Sequence, residues 1–183
     1  MERITSPIST DIIEKLRAGD QVLISGVIYV GRDAAHKRLI ETLDKGEQLP
    51  FDIQGQTIYY MGPSPTKPGH VIGSAGPTTS GRMDAYTPRL LSVGLRAMIG
   101  KGLRSEAVKE ALKKHRGVYL AAVGGAAALI AKSITKAQTI AYEDLGPEAI
   151  LRLEVKDFPA VVINDMYGGD LYQEGKAQYQ IRA

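Results

Sequence analysis

Apolar residues along this chain fall into short β-branched runs separated by segments in which they recur at helical spacing, the mark of strands alternating with helices. Gln21 to Val30 reads as a largely buried strand, bounded by Gly19-Asp20 and Gly31. Directly after it Ala35, Leu39, Ile40 and Leu43 have helical spacing, with Asp33 placed to cap the helix and Gly46 to end it. Thr57 to Met61 reads as a short strand, Gly62 to Gly69 as a Pro- and Gly-rich loop, and Val71 to Ser74 as another strand. Met83, Tyr86, Leu90 and Leu91 then return to helical spacing. Arg96 to Ile99 is a brief strand, and Ser105 caps a helix that ends on Lys113, Lys114, His115 and Arg116, charges that suit its dipole. Val118 to Val123 is a strand, Gly124-Gly125 opens an Ala-rich helix, and Gln138 to Tyr142, Ile150 to Val155 and Ala160 to Asn164 are strands. The tail beyond Gly168-Gly169 is polar and carries little pattern.

This alternation predicts an α/β fold. The late strands lack long helices between them, so a mixed sheet in β/β/α layers is expected rather than a doubly wound one, as a single domain over residues 1–183. Composition agrees: 44% hydrophobic and 23% charged residues lie in the ordinary globular range and exclude a disordered or coiled-coil chain. The net charge is only +3 and its signs are interleaved, which argues against a nucleic-acid surface but leaves small anions as plausible ligands. The longest apolar stretch, Val118 to Ile130, is broken by Gly124 and Gly125 and is shorter than the roughly 20 residues of a membrane span. The absence of cysteine excludes this chain as a thiolate holder of zinc or iron-sulfur, and with no export signal at the N-terminus a cytoplasmic protein is expected.

Three strand-to-loop junctions carry candidate chemistry. Gly76-Pro-Thr-Thr-Ser-Gly-Arg82 sets three hydroxyls and several backbone donors just before a helix, an arrangement that attracts carboxylate or phosphate. Thr78 and Arg82 are four apart, so a helical turn would put both on one face, and Arg82 could grip a carboxylate that Thr78 touches. The plainer alternative is that Thr78, Thr79 and Ser80 only cap the helix. Arg32 leaves a strand end, and His36 sits in the first helical turn, where the dipole favours a neutral imidazole able to exchange a proton. Lys101, between Gly100 and Gly102, suits an anion contact in an open loop, though the glycines equally suit a plain turn. The three histidines show no metal-ligand spacing.

The blocks Gly31-Arg-Asp-Ala-Ala-His36, Gly76-Pro-Thr-Thr-Ser-Gly-Arg-Met-Asp84, Gly100-Lys-Gly102 and Val155-Lys-Asp-Phe-Pro-Ala160 together resemble the β subunit, or C-terminal domain, of the iron-sulfur class I fumarate hydratases and L-tartrate dehydratases. The resemblance spans nearly the whole chain. It implies a swivelling β/β/α domain that closes over a [4Fe-4S] cluster held by a cysteine-bearing α subunit, so that this chain itself binds no cluster and works in a hetero-oligomer. The implied activity is a hydro-lyase acting on a small C4 dicarboxylate, reversible hydration of fumarate to L-malate, with L-tartrate dehydration as the alternative. The family roles carried over place Arg32, Thr78, Thr79, Ser80, Gly81, Arg82 and Lys101 at the substrate. Thr78 is then at the reacting carbon as or beside the proton acceptor, and His36 is the second candidate for proton transfer. A non-catalytic module that binds small carboxylates or phosphates with the same loops is the competing reading.

Overall fold

The computed structural model describes residues 1–66, 68–122 and 127–179. The strands are β1 Glu2–Ser6, β2 Gln21–Val30, β3 Thr57–Tyr59, β4 Ala97–Gly100, β5 Val118–Ala122, β6 Ile134–Ala141 and β7 Ile150–Asn164. The helices are α1 Thr10–Ile13, α2 Asp33–Asp44, α3 Thr87–Ser92, α4 Glu106–His115, α5 Ala127–Ser133 and α6 Leu171–Tyr179. All seven strands form one mixed sheet in the order β1-β2-β3-β4-β5-β7-β6, and β7 pairs with β2 as well. That second pairing closes β2, β3, β4, β5 and β7 into a five-stranded barrel-like ring. β1 to β5 run parallel, and β7 is antiparallel to β2, β5 and β6.

Side-chain alternation divides the core between two layers. Tyr59, Ala97, Ile99, Val118 and Leu120 join Phe158 and Val162 inside the ring. Their neighbours Ile58, Met98 and Tyr119 point outward and pack with Leu39, Leu90, Leu91, Val108 and Leu112 of α2, α3 and α4. Two walls of sheet and an outer layer of helices are the expected β/β/α arrangement. Among the described residues no helix is long and apolar enough to cross a membrane.

Several local expectations are corrected. Val71 to Ser74 forms no strand: Ser74 folds back on Ser64, whose N–H donates to its carbonyl (3.2 Å) and whose Oγ accepts from its N–H (2.7 Å). The helix cap before α2 is Arg32, whose side chain makes no capping bond, and Asp33 is already the first helical residue. The two late strands are one, because Asp157 passes the chain through a left-handed kink (φ 51°) and its N–H donates to Ser25 Oγ across the ladder (3.0 Å). Pro159 is tolerated beyond it since pairing with β6 has ended at Val155 and pairing with β5 begins at Ala160. β1, α1 and α6 were not foreseen, while the expected ends at Val123 and Gly124-Gly125 lie outside the described residues.

Candidate functional site

Because β2, β3 and β4 are parallel neighbours, their C-terminal ends open on the same edge, where α/β folds collect ligands. Ladder bonds reach that edge: Gly31 N–H donates to Tyr59 O (3.3 Å) and Tyr60 N–H to Ile99 O (2.8 Å). Past it the 77–79 segment enters between the ends of β3 and β4. Thr78 N–H donates to Tyr60 O (2.8 Å), Lys101 N–H to Thr78 O (3.3 Å) and Ser80 N–H to Lys101 O (2.9 Å). Arg32, Thr78 and Lys101 therefore line one rim. With neighbouring strands about 4.8 Å apart, the ends of β2 and β4 are separated by about 10 Å.

The hydroxyls of the 78–80 loop have separate fates. Thr79 is the cap of a 3-10 turn, Ser80–Met83, but its side chain makes no capping bond. Both backbone groups of half-buried Thr78 are used, and among the described residues its hydroxyl has no partner. Simple helix capping therefore describes neither threonine. Ser80 is 0% exposed: its hydroxyl donates to Tyr119 OH (2.8 Å), which donates in turn to Gly102 O (2.9 Å). A Cβ at Gly100 would collide with Ser80 Oγ, so only glycine lets the loop seat this closely. Gly81 is exposed beside the Leu103 carbonyl.

The cations are arranged differently from the helical-spacing expectation. The 3-10 turn starts only at Ser80, so Thr78 and Arg82 do not share a helix face. Arg82 instead reaches across to α2 and grips Asp33 with two bonds, Nε to Oδ1 at 2.9 Å and Nη2 to Oδ2 at 2.6 Å, while staying 46% exposed. The Arg32 guanidinium also faces Asp33 (4.0 Å), as well as Glu148 (3.6 Å), and its buried Nε lacks a hydrogen-bond partner. It lies against Gly62, where any Cβ would strike Nη1. Lys101 is exposed and, among the described residues, makes no ion pair. Burial tends to raise the Asp33 carboxyl, but the Arg82 hydrogen bond and the charges of both arginines hold it below the usual carboxylate range.

His36 is 0% exposed, packed edge-on against Tyr60 at 5.3 Å. Its Nδ1 lies 2.8 Å from the Arg32 carbonyl, an acceptor only, so Nδ1 carries the proton and Nε2 is a buried lone pair without a partner. Burial first, then the Arg104 charge, pushes its pKa down to about 4, and the ring is neutral at pH 7. The ring and the Ser80 side chain therefore face the interior, while Arg32, Thr78, Thr79, Arg82 and Lys101 stand at the rim.

Two groups that hold the rim were not singled out by sequence reasoning. The Arg104 side chain, 0% exposed, donates to Asp84 Oδ1 (2.7 Å) and Thr87 Oγ1 (2.8 Å) and lies over the Tyr60 and Tyr119 rings. Asp84 Oδ2 accepts from Ser105 N–H (2.6 Å), which ties the end of the 76–84 block to the start of α4. Asp33 is the other. Nothing local marks it as the Arg82 partner, because the two are 49 positions apart. Clefts of about 370 and 710 Å3 flank the 63–74 loop, and no candidate residue lines either one. Thr79, Arg82 and Lys101 are exposed at the rim, and Arg32 and Thr78 are half-buried.

Residues 3–175 match the family model described as Fumarase C-terminus. The chain is 48% identical over 153 residues to a class I aerobic fumarate hydratase of Salmonella typhimurium, covering 82% of this chain and 26% of that protein. It is 44% identical over 158 residues to fumarate hydratase 2 of Leishmania major, covering 85% of this chain and 28% of that protein. A candidate L(+)-tartrate dehydratase subunit beta of Methanocaldococcus jannaschii is 37% identical over 180 residues, covering 95% of this chain and 92% of that protein. The chain thus spans about a quarter of the length of the fumarate hydratases it matches and nearly all of the β subunit, and it belongs to the fumarase C-terminus family.

Proposed function

We propose that this chain is the β subunit of a two-subunit hydro-lyase, a fumarate hydratase that adds water reversibly to fumarate, at a site completed by an α subunit that carries a [4Fe-4S] cluster. The observation that carries the reading is the rim itself. Three cations, Arg32, Arg82 and Lys101, share the rim with Thr78, whose hydroxyl has no partner among the described residues, in a chain of this family. Two carboxylates need two separated cationic grips, and the rim offers a planar fork at Arg82 and a mobile ammonium at Lys101.

The residues present do not fit the cluster itself. The sequence has no cysteine, and among the described residues no group of three His, Cys, Asp or Glu could hold a metal. Cluster ligands therefore belong to the α subunit, and this chain contributes binding and proton handling. Arg82 and Lys101 hold the substrate carboxylates, with Arg32 beside them. Thr78, between the strand ends, lies at the reacting carbon and accepts or relays its proton. A threonine hydroxyl is a poor base in water, so the role needs its pKa lowered by cations of the rim or by a carboxylate of the α subunit. His36 is the second candidate, with Nε2 as the accepting atom, behind the rim rather than on it. L-tartrate dehydration is the second reading, favoured by the end-to-end match to a candidate tartrate dehydratase β subunit.

Anaerobic co-expression with a cysteine-bearing α chain tests the proposal. The complex should hydrate fumarate and dehydrate L-malate, and this chain alone should do neither. Turnover of tartrate in place of fumarate would select the second reading, and a cluster-loaded complex inert toward all three would refute both.

A further inference from the structure

Two guanidinium groups close together repel each other and would turn away from a shared ligand. At this rim both face one carboxylate of the chain itself. Asp33 stands between them, taking both bonds of the Arg82 Nε/Nη2 edge (2.9 and 2.6 Å) and lying 4.0 Å from Arg32 Nε. Its own position is fixed, since it is the first residue of the twelve-residue α2, where the helix dipole favours a carboxylate. Arg32 is held from the other side by Glu148 and by the close backbone approach at Gly62.

The pairing also selects which donors stay available. Arg82 spends one edge of its fork on Asp33 and remains 46% exposed, so the donors not aimed at Asp33 can serve an external acceptor. Arg82 therefore has a fixed plane before any ligand arrives, which lowers the ordering cost of binding. We propose that Asp33 is the positioning residue of the rim: it neutralises the repulsion between Arg32 and Arg82 and orients Arg82 so that its remaining N–H groups meet a substrate carboxylate. This inference rests on the hydro-lyase reading given above. An internal carboxylate that occupies the fork and must be displaced by substrate would use the same contacts, and the two roles predict opposite changes in KM.

The test uses Asp33→Asn, which keeps the shape and removes the charge, in the complex with the α subunit, together with Asp33→Glu as the conservative variant. With wild-type complex active on fumarate, Asp33→Asn should raise KM about tenfold while kcat changes by less than about threefold, and Asp33→Glu should recover part of the loss. A misfolded rim would instead lower the active fraction, reducing kcat at unchanged KM, and that result overturns the proposal. So does a lower KM, which would make Asp33 a competitor for the fork, and so does an unchanged KM. Wild-type complex without hydro-lyase activity would defeat the underlying reading and this inference with it, and is distinguished from the other outcomes by the wild-type measurement alone.

Discussion

Removing Asp84 should unfold this chain more readily than removing any exposed acid. Its partner Arg104 has a side chain with 0% exposure, whereas Asp84 retains 15%. In Asp84→Ala the guanidinium loses its closest acceptor, at 2.7 Å, and keeps one bond to Thr87, a long contact to Tyr60 OH (3.5 Å) and the faces of Tyr60 and Tyr119. It cannot shed its charge, because an arginine stays protonated. Ser105 N–H loses its acceptor as well. Breaking one partner of a buried pair costs about 3–5 kcal/mol, and at this chain length each kcal/mol lowers Tm by about 2–4 °C, so the expected drop is about 6–20 °C. Arg104→Met should cost less, since Asp84 keeps the Ser105 N–H and can reach water. Urea and thermal unfolding followed by circular dichroism give both values. A loss below about 1 kcal/mol for Asp84→Ala, or a larger loss for Arg104→Met, would refute the reasoning.

His36 gives a pH signature. Its folded pKa of about 4 lies below the unfolded 6.5, so the unfolded chain binds the extra proton between these values and stability falls as pH drops from 6.5 toward 4. The shift corresponds to about 3 kcal/mol, and unfolding in urea across that window should show a shallower dependence in His36→Asn; equal slopes would contradict it. Arg82→Lys keeps the charge but loses the planar fork, and should lower kcat/KM of the complex at least about 30-fold, with unchanged kinetics removing Arg82 from the site. Thr78→Ala removes a hydroxyl with no partner among the described residues, so Tm should stay nearly constant while turnover falls about 100-fold; ordinary turnover with loss of substrate C–H exchange in His36→Ala would pass the proton-accepting role to His36.

What was legible in the sequence follows from how local each signal is. β2 was readable over its full Gln21–Val30 span because it is rich in β-branched residues and is bounded by Gly19-Asp20 and Gly31. α4 was readable because Ser105 caps it, accepting from Val108 N–H, and basic residues end it. β7 looked like two strands since Lys156-Asp157 and Pro159 interrupt its apolar run, and the Ser25 hydroxyl that receives the kink lies on another strand. β1 offers little beyond Ile4 and Ser6 as buried positions, too few for a pattern. At the rim, Arg32, Thr78 and Lys101 were singled out because strand ends and glycines mark them, and their shared edge follows from the parallel order of β2, β3 and β4. The turn of Ser80 into the core and the grip of Asp33 on Arg82 were hidden, because both depend on partners far along the chain, Tyr119 and a helix start 49 positions away.

The central claim is that this rim grips a C4 dicarboxylate in a site shared with an α subunit. A crystal structure of the anaerobic complex with succinate, an unreactive analogue of the substrate, tests it most directly. The account predicts one carboxylate on Arg82 and the other within reach of Lys101 and Arg32, with the central carbons beside the Thr78 hydroxyl. Succinate bound with none of these four residues in contact would contradict it.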